Sequence, residues 1–276
     1  MIAAAEASVY EQGGYLDASA AHVDAVVELA TAGGAALPLL RTADGRRRTV
    51  YGLPRPLGAR DDAAQAALAD AIAGDDAPLA AILSPLDPGP RLAQLLVERG
   101  LRSAGERAIC VTELDGGDPD ARFHRRAVRS LRTAARRGGA ARVEPLTDGF
   151  GPLYRAAMTA LDAPPIYHFG DGYLRALATL PHYQVTVTDA HGVAAAVLFL
   201  HDGHEAYYHL GGRRGHAPLL GAMTLALAEG IREAARRGCR IVVLGGGRSD
   251  APDDALLAFK RQLSTTLVPR PSVERP

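Results

Sequence analysis

The stretch YQVTVTDAHGVAAAVLFLHDGHEAYYHLGG (183–212) decides the fold of this chain. It holds three runs of β-branched, aromatic and aliphatic residues separated by two glycine-containing turns, and so predicts three successive strands. A long helix with a glycine stop, APLLGAMTLALAEGIREAARRG (217–238), and a buried strand, CRIVVLGGG (239–247), come next. The short helix DDALLAFKRQLS (253–264) closes the series. This order predicts a mixed sheet flanked by helices.

Upstream of this stretch the chain also alternates strands and helices. The predicted elements are a hairpin of strands 23–30 and 35–41, helix 61–74, strand 78–85, helix 90–100, strand 106–114, helix 121–139, strand 142–146 and helices 148–161 and 171–180. The acidic, glycine-rich segment DGGDPD (115–120) is the best linker candidate. We therefore predict an α/β (α+β) protein with domains 1–115 and 116–276, whose tail 265–276 can return to the first domain.

Composition excludes several classes of protein. The 276 residues are 47% hydrophobic and 22% charged, which excludes a disordered chain, a collagen and a disulfide scaffold. No apolar run approaches the ~18 residues of a membrane-spanning helix, and the acidic start lacks the basic region of a signal peptide. Two cysteines and nine histidines fit no metal-ligand spacing, so we predict no metal. We expect a cytoplasmic protein without membrane insertion.

Four strings in the second half resemble the FemABX family. They are RAVRSLRTAARRGG (126–139), PIYHFGDGYLRAL (165–177), EAYYHLGG (205–212) and IVVLGGGRSDAPDDALLAFKRQLS (241–264). The resemblance covers residues 121–264 and implies tandem GNAT-like domains with mixed twisted sheets, the first domain being a degenerate copy. It further implies transfer of an aminoacyl group from aminoacyl-tRNA to an amine. The chain lacks the length for a long helical arm, which favours a small acceptor, such as an antibiotic intermediate, over peptidoglycan.

Lys260 is the only lysine in a chain that otherwise uses arginine for all its basic residues. At 100° per residue it falls inside the apolar arc of its helix, with Leu256, Phe259 and Leu263. A cation on a buried stripe must reach a cleft, an acid or a ligand anion, or else snorkel at the helix edge. With the resemblance, we expect Lys260 to contact the oxyanion or the tRNA 3′-end.

Two further groups of residues are candidates for contact with the substrates. On the strand 204–212, alternation places Glu205, Tyr207 and His209 on one face and Tyr208 on the other. Glu205 or His209 can then relay a proton, or the substrate can do so itself. The glycines of the triplet allow close backbone approach to a substrate, and the resemblance places the 165–170 loop near the acceptor. The predicted substrate-binding residues are Tyr167, His168, Tyr207, Tyr208, Gly245, Gly246, Gly247 and Phe259.

The helix predicted over 121–139 carries seven arginines and no acid. Because the formal net charge is +0, binding of a nucleic acid needs a local patch of this kind. An arginine face is suited to phosphate, although a solvated face or ion pairing with acidic stretches would also explain it. The predicted tRNA-binding residues are Arg125, Arg129, Arg132, Arg136, Arg213 and Arg214.

The predicted function is therefore amide formation between an amino acid delivered by aminoacyl-tRNA and a small-molecule amine, with no other cofactor. An acyl-CoA-dependent N-acyltransferase of the same fold is the alternative. Its pyrophosphate motif is half present in Gly212-Arg213-Arg214-Gly215-His216-Ala217, where the first position is glycine and Pro218 removes an N–H. A third possibility is a non-catalytic protein that binds a small molecule or a partner enzyme.

Overall fold

A computed structural model describes residues 7–59, 61–216, 218–249, 251 and 253–276, with Glu106 described by its backbone alone. The chain divides into two compact units, Met1–Ala108 with Pro269–Pro276, and Ile109–Val268. The sequence had suggested a division at 115/116. In the structure the division falls between Ala108 and Ile109, within the strand Arg102–Glu113, so the linker candidate DGGDPD (115–120) lies inside the second unit.

The second unit contains the stretch that decides the fold. Its helices are α4 (Arg125–Arg136), α5 (Phe150–Ala160), α6 (Asp171–Leu177), α7 (Ala222–Arg236) and α8 (Ala255–Lys260). Its strands are the end of β5 (Arg102–Glu113), β6 (Ala140–Glu144), β7 (His182–Asp189), β8 (Gly192–His201), β9 (Glu205–Arg213), β10 (Ile241–Gly246) and the start of β11 (Thr266–Arg275). The order β5-β10-β9-β8-β7-β6 is antiparallel except for the parallel pair β10 and β9.

Helix α7 covers one face of this sheet because its apolar stripe meets the alternating apolar residues of β7 and β8. The buried contacts on that face are Tyr183, Val185, Val197, Phe199, Leu227 and Ile231. The hydroxyl of Tyr183 donates to the carbonyl of Gly230 in α7 at 2.8 Å. Helix α5 packs against β9 and β8, and its residues Tyr154 and Ala157 lie where a Cβ on Gly212 would point.

The first unit is described by itself. Its helices are α1 (Gly13–His22), α2 (Asp62–Ala73) and α3 (Gly89–Glu98). Its strands β1 (Ala25–Ala32), β2 (Ala35–Thr42), β3 (Arg47–Arg48) and β4 (Leu79–Ile82) pair in that order, and β4 then pairs with the tail, Ser272–Arg275 of β11. Leucines of β2, α2 and α3, among them Leu39, Leu68 and Leu96, form the buried core of this unit.

Two helices begin several residues later than predicted, and a third helix was not predicted, each for a local reason. The helix expected over 121–139 begins only at Arg125, because Phe123 is extended and the His124 ring accepts a hydrogen bond from the Arg126 N–H. Helix α7 begins at Ala222 instead of 217, after Pro218 and Gly221, whose φ is +86°. Helix α1 was not predicted at all, because its two leading glycines hide the pattern.

Candidate functional site

Lys260 lies where two parallel strands separate. In the described part of the chain, the ladder between β9 and β10 ends at the pair Tyr207 and Val243. Beyond that pair, the Lys260 Nζ donates to the carbonyl of Gly246 at 2.8 Å, and it lies 5.3 Å from the ring centroid of Tyr208. Lys260, the last residue of α8, therefore places its ammonium in the fork of the sheet, between a residue of each strand.

The fork is shaped by irregularities in both strands. On β10, Leu244 is an extra residue relative to β5, and Gly245 follows with φ +79°. A Cβ on Gly245 would lie 3.2 Å from the Lys260 Nζ, so a side chain there would crowd the ammonium as well as strain the backbone. On β9, His209 is the extra residue relative to β8. These bulges end the parallel pairing and open the space that the lysine enters.

Burial dominates the electrostatics of Lys260. The residue is 7% exposed, and this desolvation lowers the pKa of its ammonium to about 8. Cys110 of β5 and Asp254 also face it, and both act to raise that pKa. Burial raises the pKa of the Cys110 thiol, and it raises the pKa of Tyr208 to about 12. Asp254, whose pKa is about 2, is ionised near neutral pH, and its charge favours the ammonium form of Lys260.

The candidates Glu205, Tyr207 and His209 are half-buried or buried on β9. The hydroxyl of Tyr207 donates to the Glu205 carboxylate, in agreement with a shared face. The His209 Nε2 is hydrogen-bonded to the Tyr173 hydroxyl of α6 at 2.9 Å, and the ring packs near Phe169. Burial lowers the pKa of His209 to about 3, so the imidazole is neutral and a weak base near pH 7. Glu205 pairs with Ile241 at the closed end of the ladder, three residues along β9 from Tyr208, so the structure does not bring it to Lys260.

The 165–170 loop is held by its neighbours. Tyr167, 38% exposed, accepts a hydrogen bond on its carbonyl from the Tyr154 hydroxyl, while its phenol reaches the surface. The His168 Nε2 lies 3.0 Å from the Ala163 carbonyl. Phe259, half-buried, packs against the apolar core on the α7 side. The structure therefore brings Lys260, Tyr208, Gly245 and Gly246 together. The hydrogen bonds given above for Tyr167 and His168 are with Tyr154 and Ala163.

The predicted tRNA-binding arginines differ in their surroundings. Arg125, Arg129, Arg132 and Arg136 are exposed on α4, and Arg213 is exposed at the end of β9. Arg214, in contrast, is tied to Asp189 at 2.6 Å and donates to the carbonyls of His191 and Val193. Because that guanidinium is committed to the β7–β8 turn, we assign Arg214 a structural role rather than one in binding tRNA.

Two features are absent from the described residues. No helix among them is long and apolar enough to cross a membrane. No group of three or more histidine, cysteine, aspartate or glutamate side chains in the same part of the chain has an arrangement that could hold a metal ion.

Comparison with solved structures shows what the fold is similar to. FemX matches with a TM-score of 0.67 at 13% identity, over 95% of this chain and 90% of that one. A C-terminal domain (DUF2156) from Agrobacterium fabrum, described as part of a lysylphosphatidylglycerol synthetase, matches with a TM-score of 0.66 at 17% identity, over 97% and 89%. The structure called L-PGS from Bacillus licheniformis matches with a TM-score of 0.61 at 15% identity, over 96% and 92%.

No protein-family model and no curated relative matches the chain. Each structural likeness covers almost the whole length of both compared chains, so the class of fold is clear. The chain has a Fem-like, GNAT-type fold. At 13–17% identity these likenesses show the fold alone.

Proposed function

We propose that the protein is an aminoacyltransferase that moves an amino acid from aminoacyl-tRNA to an amine of a small molecule, such as an antibiotic or another natural-product intermediate. In this reaction the amine nitrogen attacks the ester carbonyl, the C–N bond forms and the bond to the ribose oxygen breaks. One proton leaves the amine and one reaches the ribose oxygen. The ester is already activated, so the enzyme must align the reactants and stabilise the oxyanion.

The choice of aminoacyl-tRNA as the donor rests on a difference in ion pairing between the arginines of two helices. On α7, Arg232, Arg236 and Arg237 all form ion pairs, with Asp120, Glu229 and Glu233. Six exposed arginines on α4 and at its end form no ion pair with any carboxylate of the described residues. They are Arg125, Arg126, Arg129, Arg132, Arg136 and Arg137. An arginine-rich composition alone would not give one helix paired arginines and the other helix unpaired ones. A surface of unpaired guanidinium groups fits a polyphosphate ligand.

Lys260 supports the chemical step in this proposal. An ammonium has three N–H donors, and the described residues engage one of them, at the Gly246 carbonyl. A remaining donor can bind the oxyanion in the fork, where low exposure strengthens the interaction. Glu205 pairs with Ile241 at the closed end of the ladder and His209 is a weak base, so we propose that the amine reacts in its neutral form and that its proton passes to the leaving ribose oxygen.

The pH dependence of turnover tests this use of the ammonium. Because the Lys260 pKa is about 8, we expect kcat to fall as pH rises through about 8, relative to a Lys260→Arg variant, which keeps its charge. The pKa of Lys260 in the folded protein lies below its pKa in the unfolded chain. At pH values between these two pKa values the unfolded state therefore binds more protons. The free energy of unfolding should therefore rise with pH above about 8 in the wild type, and less in Lys260→Met. An identical pH profile for wild type and Lys260→Arg would argue against the role.

An acyl-CoA donor is the alternative, and the loop after β9 disfavours it. That loop would have to offer backbone N–H groups to a pyrophosphate. The Arg214 N–H instead donates to the Ala194 carbonyl at 2.9 Å, and Pro218 has no N–H. The Arg214 side chain is held by Asp189.

Turnover measured with each donor distinguishes aminoacyl-tRNA from acyl-CoA. The purified protein is incubated with a panel of small-molecule amines and either charged tRNA or acyl-CoAs, and the products are followed by mass spectrometry. We expect product with charged tRNA and its loss after ribonuclease treatment. Full turnover with acetyl-CoA in ribonuclease-treated mixtures would overturn the proposal, and binding of an amine without turnover of either donor would point to the non-catalytic role. The cytoplasm, where charged tRNA resides, is the proposed location.

A further inference from the structure

Asp254 forms more hydrogen bonds than a helix cap requires. Its Oδ1 accepts from the Leu257 N–H of α8 at 2.8 Å, which is the capping bond. Its Oδ2 accepts from the Arg248 N–H at 2.8 Å, the Ser249 N–H at 2.9 Å and the Ser249 hydroxyl at 3.1 Å. The carboxylate is 8% exposed. One side chain thus ties the turn after β10 to the first turn of α8.

The last glycine of the triplet, Gly247, lies against this carboxylate. A Cβ on Gly247 would lie 2.5 Å from the Asp254 Oδ1, so only glycine allows the approach. The preceding residue, Gly246, supplies the carbonyl that accepts from the Lys260 Nζ. Lys260 itself ends the helix that Asp254 begins. Both supports of the ammonium, the helix and the carbonyl, are therefore set by the same side chain.

We infer that Asp254 is a positioning residue for Lys260. It fixes the Gly246 carbonyl and α8 in the arrangement that holds the Nζ in the fork between β9 and β10. The inference rests on the proposed function for its consequence in catalysis, but the coupling between Asp254 and Lys260 is a property of the fold. The chain offers a matched control in Asp61, which caps α2 by accepting from the Ala64 N–H at 2.8 Å and lies in the first unit.

The single lysine makes the coupling measurable without substrate. In protein labelled with ¹³C-lysine, one side-chain Cε signal reports the titration of Lys260. In Asp254→Ala the loss of the carboxylate acts to lower this pKa, and water that reaches the ammonium through the loosened turn acts to raise it. Because desolvation is the largest cause of the shift, we expect the pKa to move up from about 8. In Asp254→Asn, which keeps an acceptor oxygen but no charge, the pKa should stay or fall. Cys110 and Tyr208, the other titratable groups against Lys260, are unchanged in both variants.

Kinetics and stability complete the test. In Asp254→Ala, kcat should fall on the order of 10²-fold, as for a misplaced group, with little change in KM for charged tRNA and partial recovery in Asp254→Asn. Asp61→Ala should lower the melting temperature and leave the Lys260 titration and kcat unchanged. If Asp254→Ala behaves like Asp61→Ala, or if both Asp254 variants lower the Lys260 pKa equally, the positioning role is wrong. The titration decides this even if charged tRNA proves not to be the donor.

Discussion

Lys260→Met should fold normally and lose turnover by about 10²-fold or more, the size of effect seen when one oxyanion donor is removed. The Lys260 side chain is buried against Tyr208, Gly245 and Gly246, so methionine of similar length fills the same space. Removing a desolvated charge also removes a cost to folding, and we expect an unchanged or higher melting temperature. Steady-state turnover with charged tRNA, measured beside thermal unfolding, checks both expectations.

Lys260→Arg is the companion variant. A guanidinium is planar and larger than an ammonium, and the Nζ already lies 2.8 Å from the Gly246 carbonyl, so arginine should give partial activity. Near-normal turnover of Lys260→Met at unchanged stability would show that the lysine only occupies the helix edge. The catalytic assignment would then be withdrawn.

Changing Arg125, Arg129, Arg132 and Arg136 together to glutamine should weaken tRNA binding on the order of 10³-fold at 0.1 M salt. The slope of log affinity against log salt should fall by about one for each arginine that contacts a phosphate. These residues form no ion pair with the described carboxylates, and two pairs of them are spaced four residues apart on one helix. Like charges at that spacing repel, so the variant should be at least as stable as the wild type.

The control for this change is taken from α7. Changing Arg236 and Arg237 to glutamine removes the same kind of charge but breaks ion pairs with Glu229 and Glu233. We expect a small loss of stability, up to about 1 kcal/mol for each exposed pair, and unchanged tRNA affinity. If the α4 variant keeps its tRNA affinity and salt slope, or if the α7 variant loses as much, α4 is not the tRNA surface.

Much of the fold could be predicted because local signals agreed with tertiary packing. The hairpin 183–201, helix α2 and the long helix α7 combined periodicity with glycine turns or stops, and all three form. The burial of Lys260 also followed from helical spacing, since an apolar arc on a short helix faces the core.

The details of the site depended on contacts between segments distant in the chain. Nothing near His209 in the sequence indicates the bulge on β9, which depends on its register with β8. The proximity of Tyr208 to Lys260 requires the fork between β9 and β10. Asp254 had a visible signal, an aspartate ahead of an apolar helix, which predicts a cap. Its contacts with Arg248 and Ser249 could not be read from that signal.

The separation of paired and unpaired arginines affects how the molecule meets a polyanion. Segment 121–139 carries seven arginines and no acid, while the formal charge of the whole chain is +0, so the other residues sum to −7. A distant nucleic acid therefore exerts little net pull on the protein, but it exerts a torque that turns α4 toward the phosphates. Salt should slow productive encounter by weakening this alignment, and short anions should compete only at the arginine face.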